Sequence, residues 1–125
     1  MSIEQTLNAY GEQIGISGLR FDVRGAATLK TSSGRLLAVE QGSDEVLIYV
    51  TQPLGYDASA TLQQAFKHAH FSRHGEVPVQ IATRDERGER SLISLIRIPE
   101  RDFTVLRLQQ TVDYLTRWLV ALQDA

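Results

Sequence analysis

"EVLIYVTQPLGYDASATLQQAFKHAHF", residues 45–71, changes its period in the middle. Val46 to Val50 are five consecutive apolar side chains, the pattern of a strand with apolar residues on both faces. Pro53 cannot donate to a ladder, so the strand closes there, and Asp57 or Ser59 can cap a helix after it. Leu62, Ala65, Phe66 and Ala69 then return at helical spacing, and Gly75 supplies an exit. The stretch reads as strand, sharp exit, helix.

Working outward, the runs 25–31 and 36–41 precede this strand, separated by the turn-rich "SSG" and "QGSD". Turns this short join antiparallel neighbours, which predicts a three-stranded meander. Before it, Ser2 and Gln5 have capping-box spacing, and Ile3, Leu7, Tyr10 and Ile14 form a helical stripe that ends at Gly15 and Gly18. After Gly75, "VPVQIAT", the charged turn "RDERGER" and "SLISLIRI" make a hairpin. Pro99 and Asp102 mark the start of a last helix striped by Leu108, Val112, Leu115, Leu119 and Leu122. The expected fold is α+β, in the order α-β-β-β-α-β-β-α, with a twisted antiparallel sheet and three helices in one domain, 1–125.

Charge narrows the function. Thirteen basic and fifteen acidic side chains give a net charge of −2, so a phosphate backbone finds no long-range attraction and no nucleic-acid partner is expected. No apolar run approaches the roughly 20 residues that span a bilayer, so no membrane insertion is expected. "MSIEQTLNAYGEQ" carries no basic stretch followed by an apolar run, and cysteine is absent. A cytoplasmic protein is the expectation.

All three histidines fall within "HAHFSRH", residues 68–74. On a helix His68 and His70 point about 200° apart, while His70 and His74 share a face. Two nitrogens fall short of the three or four ligands of a zinc site, and Arg73 sits beside them. A histidine near a helix C-terminus suits the helix dipole, and that reading is preferred over a metal. Ser32 and Ser33 have no histidine near them in sequence, and the aspartates fall mostly at caps and turns. No catalytic residue, metal or cofactor is expected, and no enzyme.

The uneven feature is apolar excess on strands. Besides "VLIYV", the run "LISLIRI" puts Leu92, Ile96 and Ile98 on one face and Ile93 and Leu95 on the other. A sheet covered on both sides within one chain would explain this. So would a surface that meets another chain.

The order of elements, together with "EVLIYVTQPLGYDASATLQQAFKHAHF", resembles the class I type III secretion chaperones, the Tir-chaperone family of Gram-negative bacteria. That family shows an aliphatic strand, a "PLG"-like exit and a helix ending in Ala-Asn-aromatic or aliphatic. Here the end is Ala69, His70, Phe71, so His70 stands where asparagine is common. The final segment with Trp118 looks like the family's terminal helix. The resemblance implies a cytoplasmic homodimer without enzymatic activity that binds an extended N-terminal segment of a secreted effector and keeps it ready for export. Carried onto this chain, it implies dimer contacts at Leu62, Phe66, Ala69, Val79 and Ile81. It implies client contacts at Leu7, Tyr10, Ile14, Leu29, Leu37, Val39, Ile93 and Leu95. Two alternatives stay open: a chaperone-like regulator or apparatus protein that binds a folded partner, and a small ligand-binding α+β domain with a pocket under its sheet.

Overall fold

The computed structural model describes residues 2–31, 34–54, 58–71, 79–86 and 88–123. Ser32, Ser33, Asp57, Arg73, His74 and Gly75 lie outside the described residues, as do the side chains of His68, Ala69, His70 and Phe71. The helix cap at Asp57, the exit at Gly75 and the histidine arrangement therefore stay sequence expectations.

Helix α1 (Ile3–Gln13) begins with the anticipated capping box. Ser2 Oγ accepts from the Gln5 N–H at 3.0 Å, and Gln5 Oε1 accepts from the Ser2 N–H at 2.9 Å. Gly15, at φ +88°, turns the chain out of the helix. The exit then folds back on the helix, where the Ile16 N–H donates to the Gly11 carbonyl at 2.7 Å. A Cβ on Gly11 would stand 2.7 Å from Leu19 Cβ and 2.8 Å from Ile16 O. Close approach, not backbone angle, requires glycine at this position.

Strands β1 (Ala26–Lys30), β2 (Leu36–Gln41) and β3 (Glu45–Pro53) form the meander. Helix α2 (Ala58–Phe71) leads to β4 (Gln80–Glu86), and β5 (Glu89–Pro99) returns from it. Sheet order is β1-β2-β3-β5-β4 with every neighbouring pair antiparallel. The hairpin is thus inserted so that its second strand pairs with β3 and its first becomes an edge.

Two boundaries differ from the sequence expectation. The hairpin ladder runs on into the charged turn, where Asp85 sits opposite Arg90 and forms an ion pair at 3.0 Å. The last helix begins later than Pro99 and Asp102. Pro99 still belongs to β5 opposite Glu45, and Glu100–Asp102 form a single 3-10 turn. Helix α3 (Val105–Gln123) is capped by Thr104, whose Oγ1 accepts from the Arg107 N–H at 3.1 Å.

Strand parity divides the sheet. Val46, Ile48 and Val50 lie with Leu37, Val39, Leu92, Ile96 and Ile98 in the main core, against Leu7 and Tyr10 of α1 and Leu108, Leu115, Trp118, Leu119 and Leu122 of α3. Ala65 of α2 completes the layer. Ala38, Tyr49, Ile93 and Leu95 project from the opposite face and form a separate small cluster.

Gly11→Ala should destabilise the fold by about 1–3 kcal/mol, the usual range for an overpacked contact. Urea unfolding followed by circular dichroism measures it, and an unchanged midpoint would contradict the close approach.

Candidate functional site

The face away from α1 and α3 carries an open depression of about 590 Å³ at the centre of the sheet. Its apolar lining comes from Leu47 and Tyr49 of β3, Ile93 and Leu95 of β5, and Ala82 and the dimer candidate Ile81 of β4. The register assembles it, since Tyr49 lies between Ala38 and Leu95, and Ile93 lies opposite Ala82.

Polar side chains ring this floor. Tyr49 is only 6% exposed, and its hydroxyl donates to Glu40 Oε1 at 2.6 Å. The Arg84 guanidinium sits 6.0 Å from the centre of the Tyr49 ring. Arg97 donates to Glu45 Oε1 at 2.6 Å and to Gln80 Oε1 at 3.1 Å. The result is an apolar strip about two strands wide, edged by arginines and carboxylates that already partner one another. Such a surface accepts side chains of a chain laid across it.

A second surface is formed by α2 and the edge strand β4. Leu62 and Ala65 turn inward, whereas Phe66 is 62% exposed. Beside them β4 ends the sheet, with β5 as its partner on one side. An exposed phenylalanine near an open strand edge marks a place where another chain can add.

The residues singled out from sequence distribute between these surfaces and the interior. Of the five dimer candidates, Phe66 is exposed, Leu62 and Ile81 are half-buried against the core, and Val79 is buried in it. The Ala69 side chain lies outside the described residues. Of the eight client candidates, Ile93, buried, and Leu95, half-buried, lie on the face away from α1 and α3, and Ile14, 44% exposed, lies at the end of α1. Leu7, Tyr10, Leu37 and Val39 are core residues, and Leu29 is packed against the same core. Their side chains fill the layer between sheet and helices, which leaves Ile93 and Leu95 as the pair the structure brings together in the groove. Sequence reasoning missed Leu47, Tyr49, Glu40, Arg84 and Arg97. Strand parity was the signal: Leu47 and Tyr49 are the odd members of "VLIYV", as Ile93 and Leu95 are of "LISLIRI".

Among the described residues no group of three His, Asp or Glu side chains is placed to hold a metal ion. No described helix is long and apolar enough to cross a membrane. Asp22 has a lowered pKa because it accepts from the Ala26 and Arg24 N–H groups, which is a turn device.

With this geometry established, comparison with known proteins is informative about the fold. Solved structures that resemble the chain include the HopA1–SchA chaperone–effector complex, at 15% identity and a TM-score of 0.69, over 97% of this chain and 92% of that one. The Yersinia pestis type III secretion chaperone SycH, solved with a stable fragment of YscM2, is 13% identical with a TM-score of 0.68, over 97% and 99%. The chain has the type III secretion chaperone fold. E. coli YbjN, a proposed transcription regulator, is also similar, at 13% identity and a TM-score of 0.58, over 94% and 86%. No protein-family model matches the sequence, and no curated protein is significantly similar to it.

Tyr10 and Tyr49 should titrate above the ordinary value of about 10. Burial raises Tyr49, with the Glu40 carboxylate adding to it, and burial raises Tyr10, with Asp113 adding to it. A raised acid favours the neutral form in the folded state. Its stabilising contribution is therefore complete below pH 10 and fades as pH rises through the folded value. Ultraviolet titration of the phenolates should show late-ionising phenols, and Tyr49→Phe should remove one of them.

Proposed function

We propose that this chain is a type III secretion chaperone of the class I kind, acting in the cytoplasm as a homodimer without enzymatic activity. It holds an extended segment near the N-terminus of an effector and keeps that segment ready for export. The observation that supports this most is the open sheet face: Leu47, Tyr49, Ile93 and Leu95 form an apolar floor with no described helix among its lining, in a fold shared with such chaperones. An extended client lays alternate side chains into that floor while its backbone remains unfolded. Burial contributes roughly 25 cal/mol per Å², offset by the entropy of ordering the client. Binding of this kind gives affinity without requiring the client to form a core.

Self-association is assigned to the second surface. Phe66, next to Leu62 and Ala69 on α2, faces its copy, with Val79 and Ile81 of the adjoining strand segment backing the contact. The exposure of Phe66 beside the edge strand β4 supports this placement.

The likeness to YbjN favours one rival, a regulator that grips a folded partner on the same sheet face. The client's state separates the two. Hydrogen exchange on the purified complex should find the bound segment protected only where it touches the groove, whereas a partner protected throughout a packed core would establish the regulator reading. Leu95→Asp places a charge on the apolar floor and should weaken client binding by tenfold or more, about 1.4 kcal/mol or above, with dimer mass unchanged.

Phe66→Asp should convert the dimer to monomer or aggregate in light scattering, because the charge would be buried between copies. A wild-type monomer at micromolar concentration would remove the dimer from this account.

A further inference from the structure

A third depression, of about 330 Å³, lies along α3 and differs from the others in charge. It is lined by Ile96, Arg107, Gln110, Thr111, Tyr114 and Arg117, two cations and no carboxylate among the described residues. The sheet-face groove, by contrast, sets Arg84 and Arg97 against Glu40, and the hollow beside α1 sets Arg20 against Glu4. The chain's net charge is −2, so the cationic character of this groove is local and comes from Arg107 and Arg117.

The two arginines are also unspent. Among the described residues neither forms an ion pair; Arg117 Nε donates to the Asp113 carbonyl of its own helix at 3.3 Å. Asp113 itself acts on Tyr10, on the side of α3 that meets α1. Between the arginines the floor is apolar. Ile96 is buried, Tyr114 is half-buried, and Thr111 turns its hydroxyl back to donate to the Arg107 carbonyl at 2.7 Å.

Spacing defines what fits. Arg107, Gln110, Tyr114 and Arg117 follow one helical stripe, so the Cα atoms of the two arginines are about 15 Å apart along the axis at ~1.5 Å per residue. In an extended chain, side chains four residues apart share a face and lie about 13 Å apart at ~3.3 Å per residue. The residue midway between them points the same way. We infer that the α3 groove binds an extended acidic segment of the client, with two carboxylates four residues apart on Arg107 and Arg117 and an apolar side chain between them on Ile96 and Tyr114. The inference rests on the chaperone reading only for the owner of the segment; the recognition chemistry is independent of it.

The test uses fluorescence anisotropy of labelled synthetic heptapeptides with the purified full chain. The probe is Ser-Glu-Ser-Leu-Ser-Glu-Ser, compared with versions carrying Lys for both Glu, or Ser for Leu. The acidic peptide should bind more tightly than either, and its binding should weaken as salt is added. The double variant Arg107→Glu with Arg117→Glu should lose about tenfold or more in affinity, since it replaces attraction by like-charge contact. Arg107→Gln with Arg117→Gln, which leaves the helix neutral on this stripe, should show a smaller loss, and Arg24→Glu in the exposed turn before β1 should show none. Circular dichroism checks that each variant is folded. Equal binding of acidic and basic peptides, or an unchanged affinity in both double variants, would overturn the inference. A purified client complex left unaffected by the double reversal would overturn it too, with the chaperone reading intact.

Discussion

The pairing of β3 with β5 is the constraint on which the rest of the molecule depends. It runs from Glu45 opposite Pro99 to Pro53 opposite Ser91, the full length of β3. Because β5 occupies the place beside β3, β4 is pushed to the edge, and α2 must carry the chain across β5 to reach it. The same pairing aligns the apolar positions of two strands on both faces at once. Even-numbered residues go to the helix-covered core, and odd-numbered ones to the open groove. A slip of one residue would exchange the two faces, setting Tyr49 and Leu95 beneath the helices and leaving Ile48 and Ile96 outside. The open groove and the core are therefore specified by one register.

Much of this is legible in the sequence alone. The period change in residues 45–71 separates β3 from α2, and the capping box at Ser2 starts α1 as read. The hidden part is long-range. Sequence shows that "LISLIRI" has apolar residues on both faces, but not which face receives the helices. Leu7 and Tyr10 accordingly read as surface candidates, although they fill the gap between α1 and the sheet. The start of α3 is obscured for a local reason: Pro99 signals a helix start equally well as a strand end, and the ladder with Glu45 settles it as strand. Gly11 escapes notice because its requirement comes from Leu19 and Ile16 folding back, not from its own backbone.

Fold and function separate here in a useful way. The same architecture is seen in chaperones solved with their partners and in YbjN, so the arrangement of strands does not by itself select a job. Selection falls to the surfaces the strands leave open. Three are distinct in chemistry: an aromatic on α2 beside a strand edge, a balanced apolar groove on the sheet, and a cationic groove on α3. A partner that uses any one of them leaves the others available.

An exposed apolar strip on a sheet is an aggregation hazard unless something covers it while it waits. In this chain the cover is made of side chains. Arg84 lies over Tyr49, Arg97 ties Glu45 to Gln80, and the Tyr49 hydroxyl is held by Glu40. Arginine suits this use because its aliphatic stem shields apolar atoms while its charged end remains in water. Most of the polar contacts that make up the rim are partly exposed, so each is held by little free energy, of the order of 1 kcal/mol or less. On the proposed reading, a client side chain entering the groove moves these arginines aside. On the proposed reading the cover thus keeps the empty chaperone soluble and yields at small cost, while Tyr49, clamped through Glu40, keeps the shape of the floor.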